Sequence, residues 1–231
     1  MPAAFETGNL TLRPYSIVAE ILYNENSQRA RGVRVIDTLS GESFEYYARI
    51  IFINASTIAT TGLLLNSKSS RFPQGFGNDS GALGHNLMDH HSSAGAYGTF
   101  DGLKDKYYKG RRPCGFIIPR FRNLKSGSDL GFLRGYTIQG DGERKEWQNN
   151  LTSAGFGDDF KKQLTTPGPW TVWMAAWGEC LPYEENTVSL HETKRDKWGI
   201  PQIAIDFSFR ENEYKMMDDA MNTSQEMLSQ A

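Results

Sequence analysis

Cysteine is scarce in this chain of 231 residues, which contains only Cys114 and Cys180. The two lie far apart in apolar or aromatic surroundings, so the sequence predicts neither a disulfide framework nor a cysteine-based zinc site. Long hydrophobic runs are lacking as well, because ARIIFINA and TGLLLN are far shorter than the roughly 20 residues of a membrane-spanning helix. The first residues, MPAAFETGNL, lack the apolar core of a secretory signal peptide. We therefore expect a soluble protein without a membrane span, and the sequence leaves open whether it is cytoplasmic or periplasmic.

An excess of charge of one sign is also absent. The chain has 25 Lys and Arg against 27 Asp and Glu, for a net charge of −2, and the basic residues are scattered. A nucleic-acid partner is not expected, because such proteins carry clustered basic residues. Hydrophobic residues make up 39% of the chain, which is enough for one large domain or two small ones with a true core.

The first quarter of the chain has the alternation of β-strands. The stretches NLTLRPYSIVAEILYN and RGVRVIDT are separated and followed by turn residues in NENSQ and LSGES. The unbroken apolar run YARIIFINA predicts a strand that is buried on both faces in a parallel sheet. A short helix follows in STIATTGLLLNS, with Ser56 or Thr57 as its cap. A helix that begins after a buried strand can bind a phosphate, but a strand–helix unit without a ligand fits equally well.

The remainder of the chain predicts strands and two helices. Strands are expected in AGAYGTF, CGFIIPRF, LGFLRGYTIQG, PWTVWMAAWGECLP, NTVSLH and PQIAIDFSF, with a short helix in SAGFGDDFKKQL. Clear alternation in the last two strands indicates an antiparallel sheet with one covered face. A final helix over ENEYKMMDDAMNTSQEMLSQA would be capped by Asn212. Its core stripe is predicted to be Tyr214, Met217, Met221, Ser224 and Leu228.

The segment GFGNDSGALGHNLMDHH, residues 75–91, is the most unusual in composition. Its glycines have the spacing G-x-G-x-x-x-G and follow a loop. A dinucleotide-binding fingerprint requires G-x-G-x-x-G directly after a strand, so this segment is not such a fingerprint. The glycines are therefore interpreted as residues that shape a loop.

Three of the four histidines of the chain lie in this same segment, as His85, His90 and His91. Because His90 and His91 are adjacent, they do not complete a usual zinc spacing with Asp89, and no metal site is predicted. A histidine base remains open, since histidine titrates near neutral pH, but no orienting partner is evident. We favour a structural role in which neighbouring groups satisfy these side chains.

Two motifs in order and at the right spacing carry a family resemblance. Together, ASTIATTGLLLNS at 55–67 and GFGNDSGALGHNLMDHH at 75–91 resemble the glucose-methanol-choline (GMC) family of flavin-dependent oxidoreductases. NLTLRPYSIVAEI is similar to the strand that passes the adenine in that family, and FLRGYTIQG and TTPGPWTV resemble a bacterial branch that acts on sugars. NTVSLHETKRDKWGIPQIAI resembles the entry to the C-terminal, substrate-side region, so the resemblance covers nearly the whole chain.

The resemblance implies a mixed α+β and α/β fold. Residues 1–91 would form the C-terminal part of an FAD-binding, Rossmann-like domain and a connecting segment. Residues 92–231 would form a largely antiparallel substrate-binding domain with flanking helices, incomplete at its C-terminus. The implied activity is oxidation of an alcohol group of a sugar or polyol by hydride transfer to FAD.

Family motifs also imply which residues lie near the cofactor. Val18 would meet the adenine, partly through its backbone. The full implied set is Val18, Asn54, Ala55, Ser56, Thr60, Asn86, Met88, Asp89 and His90. Within it, Asp89 and His90 would be mainly structural, with auxiliary contacts to the cofactor.

Two family features are missing from the sequence. No G-x-G-x-x-G occurs in the 231 residues, and no histidine is followed by a stretch similar to G-T-x-x-M-G. The chain is therefore expected to be the central part of an enzyme, with the catalytic base beyond Ala231. We expect it to bind FAD weakly or not at all, to be inactive alone, and to be prone to self-association through exposed sheet edges.

An alternative is a non-catalytic carbohydrate-binding or interaction module. Aromatic faces stack on sugar rings, and Trp170, Trp173, Trp177 and Tyr136 are the first candidates for such contacts. Alternation in WTVWMAAW also allows some of these aromatic residues to belong to the core.

Overall fold

The computed structural model describes residues 1–106, 115–125, 130–144 and 155–231. Cys114 and the start of the SAGFGDDFKKQL segment lie outside these residues. In chain order the elements are α1 (Pro2–Glu6), β1 (Ser16–Asn24), β2 (Arg29–Asp37), β3 (Ser43–Tyr47), α2 (Thr57–Asn66), β4 (His90–His91), β5 (Gly95–Phe100), β6 (Gly115–Ile118), β7 (Tyr136–Arg144), α3 (Gly157–Thr165), β8 (Trp170–Glu179), β9 (Thr187–Arg195), β10 (Pro201–Asp206) and α4 (Glu211–Gln230).

The chain forms two compact units. Unit 1 comprises Met1–Leu87 and Pro182–Ser208, and unit 2 comprises Met88–Leu181 and Phe209–Ala231. The change of pattern near residue 92 thus lies close to the first crossing between units, whereas residues 182–208 return to unit 1. The assignment of an FAD-binding part before residue 92 and a substrate-binding part after it stays a prediction.

Unit 1 contains an antiparallel three-stranded sheet in the order β1-β2-β3. The predicted strands over SIVAEILYN and RGVRVIDT are confirmed, with Val18 opposite Val35 in the register, whereas residues 9–15 of the first predicted stretch contain no strand. Ala19, Ile21 and Val35 are buried, as the alternation of apolar residues requires. β9 and β10 form a separate antiparallel pair in the same unit.

The predicted parallel strand over YARIIFINA is wrong. Residues 48–56 contain no strand, and Ile50 and Phe52 are 72% and 82% exposed. Every strand pairing among the described residues is antiparallel. The run therefore has no parallel neighbour there to accept its backbone hydrogen bonds, and apolar composition alone does not make a strand.

The helix α2 packs on β1 and β9 within unit 1. At its C-terminal end, the Asn66 side-chain amide donates to the Ala19 carbonyl oxygen at 2.8 Å, and the Ile21 N–H donates to Ser67 Oγ at 2.8 Å. These bonds satisfy backbone groups of β1 with side chains from the helix end. They fix α2 against the strand that contains Val18.

Unit 2 contains a five-stranded antiparallel sheet. Its order is β4-β8-β7-β6, and β5 also pairs with β8. One face of the sheet packs against α4 through a buried core whose members are Ala94, Phe132, Tyr136, Ile138, Met174, Ala176, Met216 and Ala220. The fold is thus mixed α/β with mostly antiparallel sheets and few helices.

The helix α4 exists as predicted, but its buried stripe differs. Tyr214 and Met221 are exposed, whereas Ser224 is buried and Met217 and Leu228 pack against the core, as predicted. The other buried positions are Glu213, Met216, Ala220 and Thr223. The N-cap is Arg210, not Asn212. Glu213 is the buried residue of the first turn. Its carboxylate accepts the Arg210 N–H at 3.0 Å and the Leu181 N–H at 3.0 Å. Helical spacing of apolar residues does not reveal a buried acid.

Candidate functional site

The start of α2 brings together four of the residues that the family resemblance implies. Asn54, Ala55 and Ser56 are exposed and precede the helix, and the Thr60 N–H donates to the Ser56 carbonyl oxygen at 2.9 Å. Ser56 occupies the N-cap position, with φ +67, which is strained for a residue other than glycine.

The predicted side-chain cap of α2 is not formed. Within the described residues, the Ser56 hydroxyl makes no capping hydrogen bond. The N–H groups of the first helical turn therefore lack the side-chain acceptor that a cap supplies. Such a helix start carries about half a positive charge and favours an anion.

A cavity of about 320 Å³ lies beside Val18 in unit 1. Val18 is half-exposed in β1 and forms part of the cavity wall together with Ala59 and Leu63 of α2. The remaining walls come from Ile17, Ala19, Gly62, Asn66, Leu190, Asp196, Ile200, Pro201, Gln202 and Ile203. Its size is at the lower end of the ligand pockets of proteins, and most of the side chains are apolar.

The glycine-rich segment ends against β9. The Val188 N–H donates to the Gly84 carbonyl oxygen at 2.7 Å, and the Leu87 N–H donates to the Asn186 carbonyl oxygen at 2.9 Å. Gly84 has φ +91, in the left-handed region that favours glycine. The segment is thus an ordered loop fixed by backbone hydrogen bonds, in agreement with the sequence-based interpretation. Asn86, with φ +58, is exposed at its end.

The other three residues of the implied set belong to unit 2. Met88, Asp89 and His90 are exposed. Asp89 Oδ1 accepts the His90 N–H at 2.7 Å, and the Asp89 carbonyl oxygen accepts the Cys180 N–H at 3.3 Å. His90 Nδ1 lies 3.3 Å from the Gly178 carbonyl oxygen. These contacts join the segment to the end of β8, which agrees with a structural role for Asp89 and His90.

His91 differs from the prediction that neighbours satisfy the histidine side chains. Its ring is fully buried against Gly178, and among the described residues neither ring nitrogen has a hydrogen-bond partner. Burial lowers the pKa of His91 below the ordinary value, while the nearby Glu213 acts in the opposite direction and His90 adds to the lowering. The neutral ring is therefore the form that the fold favours.

We expect unit 2 to lose stability in acid through His91. The lowered pKa means that the unfolded chain takes up a proton first, at the ordinary histidine pKa of about 6.5. The contribution of His91 to the unfolding free energy is thus complete above that pH and falls below it, by at most about 1.4 kcal/mol per pH unit. Urea unfolding between pH 5 and pH 8 (roughly the range in which histidine titrates) measures this loss.

His91→Phe should flatten that part of the pH profile. His85→Phe is the matched control, because His85 is exposed and its Nδ1 lies 2.8 Å from the Glu184 carbonyl oxygen. An unchanged acid loss in His91→Phe would contradict the assignment.

Cys180 is also unsuited to chemistry in this structure. Burial, followed by the nearby Glu213, raises the pKa of the buried Cys180 thiol to about 11. A neutral, enclosed thiol is a poor nucleophile and a poor metal ligand. In the described ranges, no group of three His, Cys, Asp or Glu side chains is placed to hold a metal ion.

The remaining histidines make backbone hydrogen bonds. His191 Nδ1 accepts the N–H groups of Thr193 and Lys194 at 3.3 and 3.1 Å. Ring nitrogens of His85 and His90 likewise face backbone carbonyl oxygens. We assign a catalytic base to none of them. In the parts of the chain that the structure covers, no helix has both the length and the apolar character to cross a bilayer.

Comparisons with known proteins identify relatives. Residues 1–92 match the family model described as GMC oxidoreductase. The chain is also similar to 2-methyl-1,2-propanediol dehydrogenase of Mycolicibacterium austroafricanum, with 27% identity over 217 residues. That alignment covers 92% of this chain and 38% of the relative, so the chain spans well under half the length of that protein.

Proposed function

We propose that this chain, which belongs to the GMC oxidoreductase family, supplies part of an FAD-dependent enzyme that oxidises the alcohol group of a polyol or sugar. The observation that carries the proposal is the family match over residues 1–92, which include β1, α2 and the glycine-rich loop. The relative's name describes a dehydrogenase of a diol, which supports an alcohol as substrate. When bound, FAD would accept a hydride from the alcohol carbon.

The cavity beside Val18 fits the flat, apolar part of such a cofactor. Ile17, Val18 and Leu63 contribute apolar surface, and Asn66 and Gln202 add amide groups at the wall. An adenine ring has the same combination of an apolar face and polar edges. We propose that Val18 and its neighbours in this cavity contact the adenine.

The start of α2 fits the anionic part of the cofactor. Its uncapped first turn favours a phosphate, and Asn54, Ala55 and Ser56 are exposed beside it. We propose that these residues and Thr60 lie along the dinucleotide, and that Asn86, Met88, Asp89 and His90 make auxiliary contacts. Because the sequence contains no G-x-G-x-x-G, the main pyrophosphate cradle is not among these residues, and the 231-residue chain should bind FAD weakly or not at all.

Two neighbouring positions of α2 provide a test of the cavity. Ala59 contributes to the cavity wall, whereas Ile58 is exposed and does not. The test uses a product of the encoding reading frame that also carries a G-x-G-x-x-G segment, because the 231 residues alone lack it. In that product, Ala59→Phe should fill the cavity and lower the fraction of protein that retains FAD about tenfold. Ile58→Phe adds a similar ring outside the cavity and should retain FAD as the unchanged protein does.

The measurement is the flavin content per polypeptide after gel filtration, with circular dichroism to confirm folding. Equal flavin content in Ala59→Phe and Ile58→Phe would contradict the placement of the adenine in this cavity. A product without substitutions that contains the G-x-G-x-x-G segment and still neither retains nor takes up flavin would contradict the proposed function as a whole.

A further inference from the structure

A second cavity of unit 1 has a volume of about 480 Å³ and adjoins the C-terminal end of α2, the helix end opposite Ser56. The walls of this loop cavity include Leu65 of α2, Leu83 and Gly84 of the glycine-rich loop, and Ser189 of β9. Among the described residues, it shares only Leu190 with the cavity beside Val18. The loop cavity is therefore a site separate from the positions proposed for the adenine and the phosphate of FAD.

The polar side chains of the loop cavity have hydrogen-bonding capacity that the described chain does not use. Lys68 is exposed, and in the part of the chain that the structure describes its ammonium group has no acidic partner and no hydrogen bond. The same holds for the side-chain amide of Gln74 and for the hydroxyl groups of Thr187 and Ser189. A lysine ammonium group binds carboxylates and phosphates, so this lining favours an anion.

His85 contributes a ring whose orientation is fixed. Its Nδ1 lies 2.8 Å from the Glu184 carbonyl oxygen. Because a carbonyl oxygen only accepts, Nδ1 carries the proton in this hydrogen bond. Nε2 has no partner among the residues that the structure describes. It is therefore available to a ligand, as an acceptor in the neutral ring and as a donor in the charged ring.

Two backbone N–H groups add to these donors. Gly81 and Gly84 line the cavity with φ +74 and +91, in the left-handed region. Neither N–H group forms a hydrogen bond within the described ranges. Backbone N–H groups of turns that contain a left-handed residue form concave anion sites. The loop therefore offers donors of its own beside Lys68 and His85.

The described lining of the loop cavity contains no Asp or Glu. Asp79, the acid of the glycine-rich loop that lies nearest in sequence, is paired with Arg71. The carbonyl oxygen of Leu64, at the negative end of α2, accepts the Phe76 N–H at 2.8 Å. An anion in the cavity therefore meets the charge of Lys68 without a carboxylate to repel it.

We propose that the loop cavity binds a small organic anion, namely a carboxylate or phosphate ester with an apolar body. Its charged group contacts Lys68 and accepts hydrogen bonds from the N–H groups of Gly81 and Gly84. Its apolar body packs against Leu65 and Leu83. An inorganic anion leaves these leucines in water, and a neutral ring leaves the donors without an anionic acceptor. The inference goes beyond the proposed function, because it requires neither flavin nor hydride transfer.

The test is isothermal titration of the 231-residue chain with benzoate and phenyl phosphate, each of which joins an anionic group to an apolar ring. Benzamide is the neutral control with the shape of benzoate, and inorganic phosphate is the anionic control without an apolar body. We expect roughly millimolar affinities for the two aromatic anions and at least about tenfold weaker binding of both controls. The ratio of the affinities for benzoate and phenyl phosphate shows which anionic group the cavity prefers.

Variants assign the binding to the loop cavity. Lys68→Met should weaken benzoate binding about tenfold, because it keeps the length of the side chain and removes its charge. Lys197→Met is the matched control, because Lys197 is an exposed lysine of unit 1 that stacks on Trp198 outside the cavity and should leave the affinity unchanged. Ser189→Phe should fill the cavity and abolish binding. Ser189 is exposed in β9, so this variant should fold, and circular dichroism checks that it does.

Absence of binding by the folded, unchanged chain at about 100 mM benzoate or phenyl phosphate, far above a millimolar Kd, would overturn the proposal. Benzamide or inorganic phosphate that binds as tightly as the aromatic anions would overturn it too, as would an affinity that Lys68→Met and Ser189→Phe leave unchanged. None of these outcomes depends on flavin content, so failure here is separate from failure of the proposed oxidoreductase function.

Discussion

Gly84→Ala should destabilise unit 1 by about 3 kcal/mol or more. Gly84 has φ +91, and a Cβ at this position would approach the Val188 carbonyl oxygen to less than 3.0 Å. That oxygen belongs to the backbone of β9 and cannot rotate away. The Gly84 carbonyl oxygen also accepts the Val188 N–H, so relief of the collision would break this bond. The measurement is the free energy of unfolding in urea.

Gly81→Ala is the control that measures backbone strain without a steric collision. Gly81 lies in the same loop with φ +74, but a Cβ there would meet no atom within 4 Å. It should cost only the strain of the left-handed conformation, about 1–2 kcal/mol. Similar losses in the two variants would contradict the close approach of the loop to β9.

Glu213→Ala should destabilise unit 2 by about 3 kcal/mol. Glu213 is fully buried, and its carboxylate accepts the Leu181 N–H, the Arg210 N–H and the Asn212 side-chain amide at 3.0, 3.0 and 3.2 Å. Alanine leaves two backbone N–H groups without this acceptor, and hydrogen bonds to a charged group are stronger than average. The start of α4 would lose its connection to the chain that follows β8. Thermal unfolding followed by circular dichroism measures the effect.

Glu211→Ala is the control for Glu213→Ala. Glu211 is exposed two residues away in the same first turn, where it pairs with Lys215 at 2.7 Å. Exposed pairs of this kind contribute little, so the loss should stay below about 0.5 kcal/mol. Comparable destabilisation in both variants would show that helix charge, rather than the buried hydrogen bonds, controls stability here.

Local patterns predicted most strands of this protein. Alternation identified β1, β2 and β9, because each places one row of side chains against the interior of unit 1. β10 pairs with β9 as predicted, but Ile203 and Ile205 are exposed, so the predicted covered face is not formed along β10. Alternation is a local property, and the sheet neighbours needed to satisfy it lie close in the chain. Glycine and asparagine correctly indicated the turns, because their preference for turn conformations is also a local property.

Non-local contacts explain what the sequence did not predict. The run that contains Ile50 and Phe52 is apolar enough for a buried strand, but a strand also needs a hydrogen-bonded neighbour, which composition does not report. Glu213 is buried because it accepts backbone N–H groups from separate segments. A helical pattern of apolar residues wrongly assigns this charged residue to the exposed face of the helix. His91 is buried by β8 and α4, which local sequence does not place beside it.

The sequence predicted only part of the candidate site. The family motifs identified Val18 and the start of α2, whereas the cavity that adjoins them also requires residues near Leu190 and Ile203, far along the chain. Among the aromatic residues considered for sugar contacts, Tyr136 is buried in the core of unit 2, whereas Trp173 is exposed, and this division depends on where α4 packs.

The decisive experiment for alcohol oxidation is the anaerobic addition of alcohol to the purified product of the encoding reading frame. We expect a product that also carries a G-x-G-x-x-G segment to show a visible flavin absorption band. That band should bleach when 2-methyl-1,2-propanediol or a sugar is added, because the alcohol reduces the flavin. A flavin-loaded protein whose band stays unchanged with a panel of diols, polyols and sugars would contradict alcohol oxidation. A product that contains a G-x-G-x-x-G segment and still takes up no flavin would contradict the assignment of an FAD-dependent enzyme.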